Sequence, residues 1–249
     1  MGAPRGWALV TGAARRIGRA LALAAGEAGY DVVVHHHASP DDAEETAGAL
    51  RRLGRRAETR AADLADPAAA ARLIGEAPGP VTLLVNCASL FADDRIATLT
   101  PDGFDQAIAA NLRAPVLLSQ ACAAALPDGR DGLIVNITDQ RVWRLNPRFF
   151  SYTLSKAALW TATQTLAQAL APRIRVNAIG PGPTLASVHQ APGDFAAEAA
   201  HVPLGHGADP AQIGAALRYL IDAPSVTGQM IAVDGGQHLA WRTPDIVGD

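Results

Sequence analysis

The chain has 249 residues, of which 49% are hydrophobic and 18% charged, enough for one large domain with a sizeable buried core. A formal net charge of -3 with scattered basic residues carries no electrostatic footprint of a nucleic-acid or anionic-membrane binder, and no apolar run approaches the roughly 20 residues of a membrane span. The stretch from Met1 to Trp7 lacks the apolar segment of a secretory signal, and Cys87 and Cys122 make neither a disulfide framework nor a metal site, so a cytoplasmic protein is expected.

Along the chain, strands are predicted over 7–11, 31–36, 57–62, 81–85, 132–138, 174–179 and 230–233. Helices are predicted over 15–28, 41–53, 67–76, 101–126, 152–171 and 210–221. The strands are unbroken apolar runs, as expected where both faces of a parallel sheet are covered. Proline at or near the first turn marks helix starts in Ser39-Pro40-Asp41-Asp42 and Asp209-Pro210. Strict alternation of strand and helix predicts a doubly wound α/β fold in a single domain over 1–249. The segment at about 180–208, rich in Pro, Gly and His, breaks the rhythm and is expected to be a loop over a substrate.

The first strand runs into Thr11-Gly12-Ala13-Ala14-Arg15-Arg16-Ile17-Gly18 and then a helix. Glycine at such a turn lets backbone approach a pyrophosphate, whose charge the helix N-terminus favours; the alternative is an ordinary glycine-containing turn. The second strand ends in His35-His36-His37-Ala38-Ser39, with no carboxylate before Asp41. An acid there would bind the ribose 2′-hydroxyl of NAD and repel a 2′-phosphate, whereas His37 and Ser39 can donate hydrogen bonds to one, so NADPH is the expected cofactor. Successive strand residues point to opposite faces, so the three histidines do not converge on a metal; a polar strand end at the sheet rim is the plainer account, and no metal is expected.

Farther along, Tyr152 and Lys156 stand at i and i+4, on one face of a helix. A close ammonium favours the phenolate and would bring a phenol near pKa 10 toward the working range; an amphipathic surface pair is the competing account. Lys156 is the single lysine beside 20 arginines, as suits a job that a guanidinium cannot do. Asp139 ends an apolar strand 13 residues before Tyr152, where it either joins that pair or caps a turn.

Together these residues resemble the classical short-chain dehydrogenase/reductases. Thr11-Gly12 to Gly18 is similar to the family's cofactor motif, Asn86-Cys87-Ala88 to its Asn-Asn-Ala-Gly strand end, and Tyr152 with Lys156 to its catalytic pair. Asn111 sits where the family has a structural and proton-relay asparagine, and Pro181-Gly182 and Val233-Asp234-Gly235-Gly236 are similar to its late landmarks. The resemblance implies a Rossmann fold with a seven-stranded parallel sheet in the order 3-2-1-4-5-6-7 and helices on both faces. It implies cofactor contacts from Gly12, Arg15, Arg16, Ile17 and Gly18, from His37, Ser39, Asp63 and Leu64, and from Asn86, Ala88, Pro181 and Gly182, besides Tyr152 and Lys156. A homotetramer is also implied, with the tail around 238–242 reaching a neighbouring site.

Two departures narrow the resemblance. Arg16 replaces a usual glycine and Asp139 a usual serine; with Ser89 and Phe91 they resemble the pteridine reductases and dihydromonapterin reductases. That implies a substrate site made by Arg16, Ser89, Phe91, Asp139 and Tyr152, with Phe91 stacked on a pterin ring; a core aromatic is its other reading. Ala38, where pteridine reductases tend to have arginine, departs from the pattern. An ionised aspartate cannot donate to a ketone oxygen, but a carboxyl whose pKa is raised by burial can hold or relay the proton that a pterin ring nitrogen needs. The expected function is NADPH-dependent reduction of a dihydropterin or related pteridine, with Tyr152, Lys156 and Asp139 as the relay and Asn111 positioning Lys156 through water. A ketone or 3-oxoacyl reductase, and a nucleotide-binding sensor without turnover, are the competing functions. Trp143, Trp160 and Trp241 are expected to be packing residues, and Cys87 a small buried one.

Overall fold

The structure, a computed structural model, describes residues 5–186 and 193–241. Its strands are β1 (Trp7–Val10), β2 (Asp31–His36), β3 (Ala57–Ala61), β4 (Val81–Asn86), β5 (Gly132–Ile137), β6 (Ile174–Pro181) and β7 (Met230–Val233). All pair in parallel, in one sheet of order β3-β2-β1-β4-β5-β6-β7. Helices α1 (Arg16–Glu27), α2 (Pro40–Arg52), α3 (Ala69–Gly75), α4 (Pro101–Ile108), α5 (Ala114–Ala125), α6 (Phe150–Leu170), α7 (Asp194–Ala200) and α8 (Pro210–Asp222) complete the described elements.

The period of two along each strand divides the core. Ala8 and Val10 of β1, Val32 and Val34 of β2, and Leu83 and Val85 of β4 share one face with Leu21, Leu50, Ile213 and Leu217 from α1, α2 and α8. Trp7, Leu9, Val33 and Leu84 pack on the other face with Leu73, Leu118 and Ala167 from α3, α5 and α6. Each fully buried leucine contributes about 1.5–3 kcal/mol relative to exposure, so the two layers together hold the sheet. The small residues let helices approach closely: a Cβ on Gly214 of α8 would lie 3.1 Å from the Ala24 Cβ of α1.

Strand order reverses between β1 and its two neighbours, β2 and β4, and opens a crevice at the carboxyl ends of the strands. Two differences from the predicted elements bear on that crevice. The single helix expected over 101–126 is interrupted by a π-helical turn, Ala109–Arg113, which sets Asn111 in a fully buried position. The loop expected over about 180–208 contains α7, whose residues are none of them buried and so leave no apolar stripe in the sequence; residues 187–192 lie outside the described residues. Trp143 and Trp241 are 45% and 61% exposed, so neither is a core residue, but Trp143 does pack as expected, edge-on against Trp160 with ring centroids 6.4 Å apart. No helix among the described residues is long and apolar enough to cross a membrane.

Candidate active site

The first wall of the crevice is the turn between β1 and α1. The Thr11 hydroxyl accepts from the backbone N–H groups of Cys87 and Ala88, at 2.9 and 3.0 Å, and so ties the turn to the end of β4. Gly12 has φ +63°, and a Cβ there would meet the Ala88 Cα at 2.9 Å; only glycine fits both requirements. The start of α1 has no side-chain cap and no acid in its first turn, leaving its positive end open to an anion. Arg16 has φ +55°, the conformation natural to the glycine it replaces, at a cost of about 1–2 kcal/mol. Its guanidinium donates across the crevice to the Leu185 and Ala186 carbonyls, at 3.2 and 2.9 Å.

Beside this turn, the end of β2 gathers polar groups. Arg15 donates to the Ser39 hydroxyl at 2.7 Å, and its Nε is 3.4 Å from Asp42. His37 is exposed, with Nδ1 3.7 Å from Asp63. A guanidinium therefore stands at this corner although position 38 is alanine. His35 departs from the expected polar rim: it is 1% exposed and engages backbone with both ring nitrogens. Burial pushes its pKa down to about 4. Among the described residues, no group of three or more His, Cys, Asp or Glu side chains could hold a metal.

The second wall is the N-terminal end of α6. Phe149 precedes it in the left-handed region, φ 54°, and provides no cap of its own. Asp94, from the segment after β4, supplies one: it accepts from the Ser151 N–H at 3.1 Å and from the Ser151 hydroxyl. Tyr152 and Lys156 follow one turn apart, 8% and 2% exposed. Tyr152 Oη donates to Asp139 Oδ2 at 2.8 Å. The other oxygen, Oδ1, accepts from the Arg141 N–H at 2.8 Å, with Arg141 Nε at 3.8 Å. Asp139 thus both caps a turn and joins Tyr152; the two readings of its role are compatible.

The expected effect of Lys156 on Tyr152 is corrected. Lys156 Nζ donates to the Ile137 carbonyl at 2.7 Å and stands 5.6 Å from the centre of the Tyr152 ring. Burial and the neighbouring Asp139 carboxyl raise the phenol well above its ordinary pKa, so here it is a protonated donor. Burial raises Asp139 as well, against the opposing pull of Arg141, and lowers Lys156 to about 8.

Asn111 bonds directly to the segment after β4 and to α6. Its Nδ2 donates to the Leu90 carbonyl and the Ser155 hydroxyl, at 2.9 and 3.0 Å. Its Oδ1 accepts from the Leu90 N–H at 2.7 Å and the Ser89 hydroxyl at 3.1 Å. The side chain thus clamps the segment carrying Ser89 and Phe91 to α6. Phe91 is stacked on Phe149, with centroids 4.2 Å apart and planes at 10°, and meets Tyr152 edge-on at 4.7 Å.

Phe91, Asp139, Arg141, Phe149, Gly182 and Leu185 line part of a cavity of about 780 Å³, which also reaches α7. Pro181 borders it, and Gly182 lies so close to β7 that a Cβ would meet the Asp234 Cβ at 2.6 Å. At the back of the crevice, Asn86 donates to Asn136 at 2.8 Å while its own Oδ1 is buried with no partner. Leu64 is buried, and the Asp63 carboxylate caps its own turn at the Ala65 N–H. Ile17 packs against the core, and Gly18 lies against the Gly12 carbonyl, where a Cβ would clash at 2.0 Å. Sequence reasoning missed Arg141, Phe149 and Asp94. Arg141 is two residues from Asp139, a spacing that could have marked it; the other two contacts cross between distant segments.

Residues 12–238 match the family described as enoyl-(acyl carrier protein) reductase. Together with its fold and its paired Tyr152 and Lys156, this shows that the chain belongs to the short-chain dehydrogenase/reductase family and is an oxidoreductase. It is 50% identical to the crystal structure of FolM alternative dihydrofolate reductase 1 from Brucella canis complexed with NADP, with a TM-score of 0.93 over 97% of each chain. A short-chain type dehydrogenase/reductase from Picea abies is 34% identical, over 92% of this chain and 91% of its own. A 3-oxoacyl-(acyl-carrier-protein) reductase from Staphylococcus epidermidis is 31% identical, over 93% and 98%.

Proposed function

We propose that this protein is an NADPH-dependent pteridine reductase, acting on a ring C=N bond of a dihydropterin or a dihydrofolate-like substrate. The observation that carries the proposal is the Tyr152–Asp139 hydrogen bond beside Phe91, at the edge of a cavity large enough for a bicyclic ring. Serine in place of Asp139 would suit a ketone oxygen; a carboxyl of raised pKa suits a ring nitrogen that must gain a proton. The 50% identical relative solved with NADP, called a dihydrofolate reductase, supports the same reading.

The residues present fit a dinucleotide phosphate. The glycine turn at Gly12 and the uncapped start of α1 suit a pyrophosphate, and Arg15, Ser39 and His37 suit a 2′-phosphate. Asp63 and Leu64 would border the adenine. Asn86, with its unpartnered buried oxygen, and Ala88 would border the nicotinamide half with Pro181 and Gly182. When bound, NADPH supplies the hydride. Lys156 would turn toward the nicotinamide ribose, and Arg16 would lie between the phosphates and the substrate. Phe91, one face of which is stacked on Phe149, would offer an aromatic face to the pterin. Ser89, held by Asn111, would border the ring. Tyr152 and Asp139 would share the proton that the ring nitrogen takes up, the phenol refilling the carboxyl or delivering the proton itself. The described parts of the expected substrate loop, 180–186 and 193–208, would border the substrate. A cytoplasmic homotetramer belongs to the same proposal, supported by the apolar side chains left exposed at Trp143, Leu239 and Trp241.

A substrate panel of dihydropterins, dihydrofolate, biopterin and simple ketones, each with NADPH and NADH, tests this assignment. Turnover should be greatest with a reduced pteridine and NADPH, and Tyr152→Phe should lower kcat by about 10²–10⁴-fold. Faster reduction of ketones would overturn the substrate, faster use of NADH would overturn the cofactor, and an unimpaired Tyr152→Phe enzyme would overturn the proton relay.

A further inference from the structure

The histidine run at the end of β2 contains two buried rings, His35 and His36, and the proposed chemistry leaves both unused. His35 lies beneath the Gly12 turn, where the Gly12 N–H donates to its Nδ1 at 3.1 Å. Its Nε2 is 3.2 Å from the Ala62 carbonyl, just after β3. A backbone N–H can only donate and a carbonyl can only accept, so both contacts form together in one state alone: neutral imidazole, bare at Nδ1 and protonated at Nε2. The surrounding backbone repeats the connection. The His35 carbonyl accepts from the Ala13 N–H at 2.8 Å, and the His36 carbonyl accepts from the Ala62 N–H at 3.0 Å. On its other side Gly12 abuts Ala88. The turn is therefore wedged between the end of β4 and the His35 ring.

We propose that His35 is a positioning residue for the dinucleotide: its neutral ring braces the Gly12 turn against the segment 62–64, and so sets the spacing between the pyrophosphate and adenine ends of the site. The two segments belong to different strands that flank β2, and the His35 side chain spans both. Burial keeps the ring neutral at ordinary pH, and a charge on His36 or His37 would oppose its protonation further. Protonation would put a donor in place of the acceptor that Gly12 needs.

The brace has this role only if NADPH is the dinucleotide, as proposed above, so the test measures cofactor binding and not turnover. NADPH dissociation constants, from the fluorescence change on titration, would be compared for the wild type, His35→Leu and His35→Asn, with thermal unfolding recorded for each. Leucine fills the space and removes both contacts; asparagine keeps an oxygen acceptor near the Nδ1 position. His35→Leu should unfold cooperatively yet bind NADPH about tenfold more weakly, equivalent to about 1.4 kcal/mol, and His35→Asn should recover part of the loss. A folded His35→Leu protein with wild-type affinity would sink the proposal. Nitrogen NMR of the wild type bears on it even if the leucine variant fails to fold: the signals should report the Nε2–H tautomer, and an Nδ1–H tautomer would overturn the brace. A wild type that binds no NADPH would overturn the cofactor assignment, and this role with it, a result distinct from equal binding by wild type and variant.

Discussion

The two oxygens of Asp139 have different partners, Tyr152 on one and Arg141 on the other, and that division governs how the carboxyl responds to pH. Burial raises its pKa, while Arg141 lowers it through a backbone hydrogen bond and the nearby guanidinium. In the proposed reduction the Tyr152–Asp139 pair must hold a proton, so activity should fall as pH rises through the pair's apparent pKa. Arg141→Met keeps the backbone N–H but removes the positive charge, which disfavours the carboxylate and raises that pKa. The falling limb of the kcat–pH profile should then move up by about one pH unit. An unmoved or downward-moved limb would show that Arg141 does not tune this carboxyl. Tyr152 and Lys156 were legible as a pair because helical spacing alone puts i and i+4 on one face. Their electrostatics were not legible, because burial and the Ile137 carbonyl are properties of the assembled fold.

At the scale of elements, the helix that carries Tyr152 and Lys156 depends on a residue from another part of the chain. α6 begins after a phenylalanine in the left-handed region and has no cap from its own sequence, so Asp94 satisfies the Ser151 N–H and hydroxyl in its place. The Phe150 N–H also donates to the Asp94 carbonyl, at 3.2 Å. Loss of a cap costs about 0.5–2 kcal/mol. Asp94→Ala should lower Tm by roughly 2–4 °C for each kcal/mol lost in a chain of this size, and should reduce kcat because Tyr152 lies in the same first turn. Asp94→Asn, which caps equally well, should retain both. Calorimetry with steady-state kinetics checks this, and a wild-type Tm for the alanine variant would refute it. Most strands were legible because they are short apolar runs between breakers, β3 with its Glu58 and Arg60 being the exception. The π-helical turn at Asn111 was not, since its residues suit an α-helix; what marks it is the tertiary use of the Asn111 side chain by Leu90, Ser89 and Ser155. Asp94 left no signal of its kind either, because an N-cap is sought next to the helix it serves.

The whole molecule is two helical layers on a sheet whose order reverses at β1, so the candidate cofactor site draws on segments that the sheet alone keeps together. The turn after β1, the end of β2, the segment after β3 and the ends of β4 and β6 all face the one crevice. A ligand that binds there only in the folded state should therefore stabilise the entire domain, by about 2.7 kcal/mol at 100 times its Kd. At roughly 2–4 °C per kcal/mol, NADPH at that concentration should raise Tm by about 5–11 °C. NADH has no 2′-phosphate for Arg15, Ser39 and His37 to meet, so at the same concentration its shift should be smaller. The difference should narrow in high salt, because Arg15 is exposed and its attraction for a phosphate is screened. Thermal unfolding with each nucleotide at low and high salt measures both effects. Equal shifts with NADPH and NADH would mean that the corner at Arg15 and Ser39 does not select the phosphate, whatever else the crevice binds.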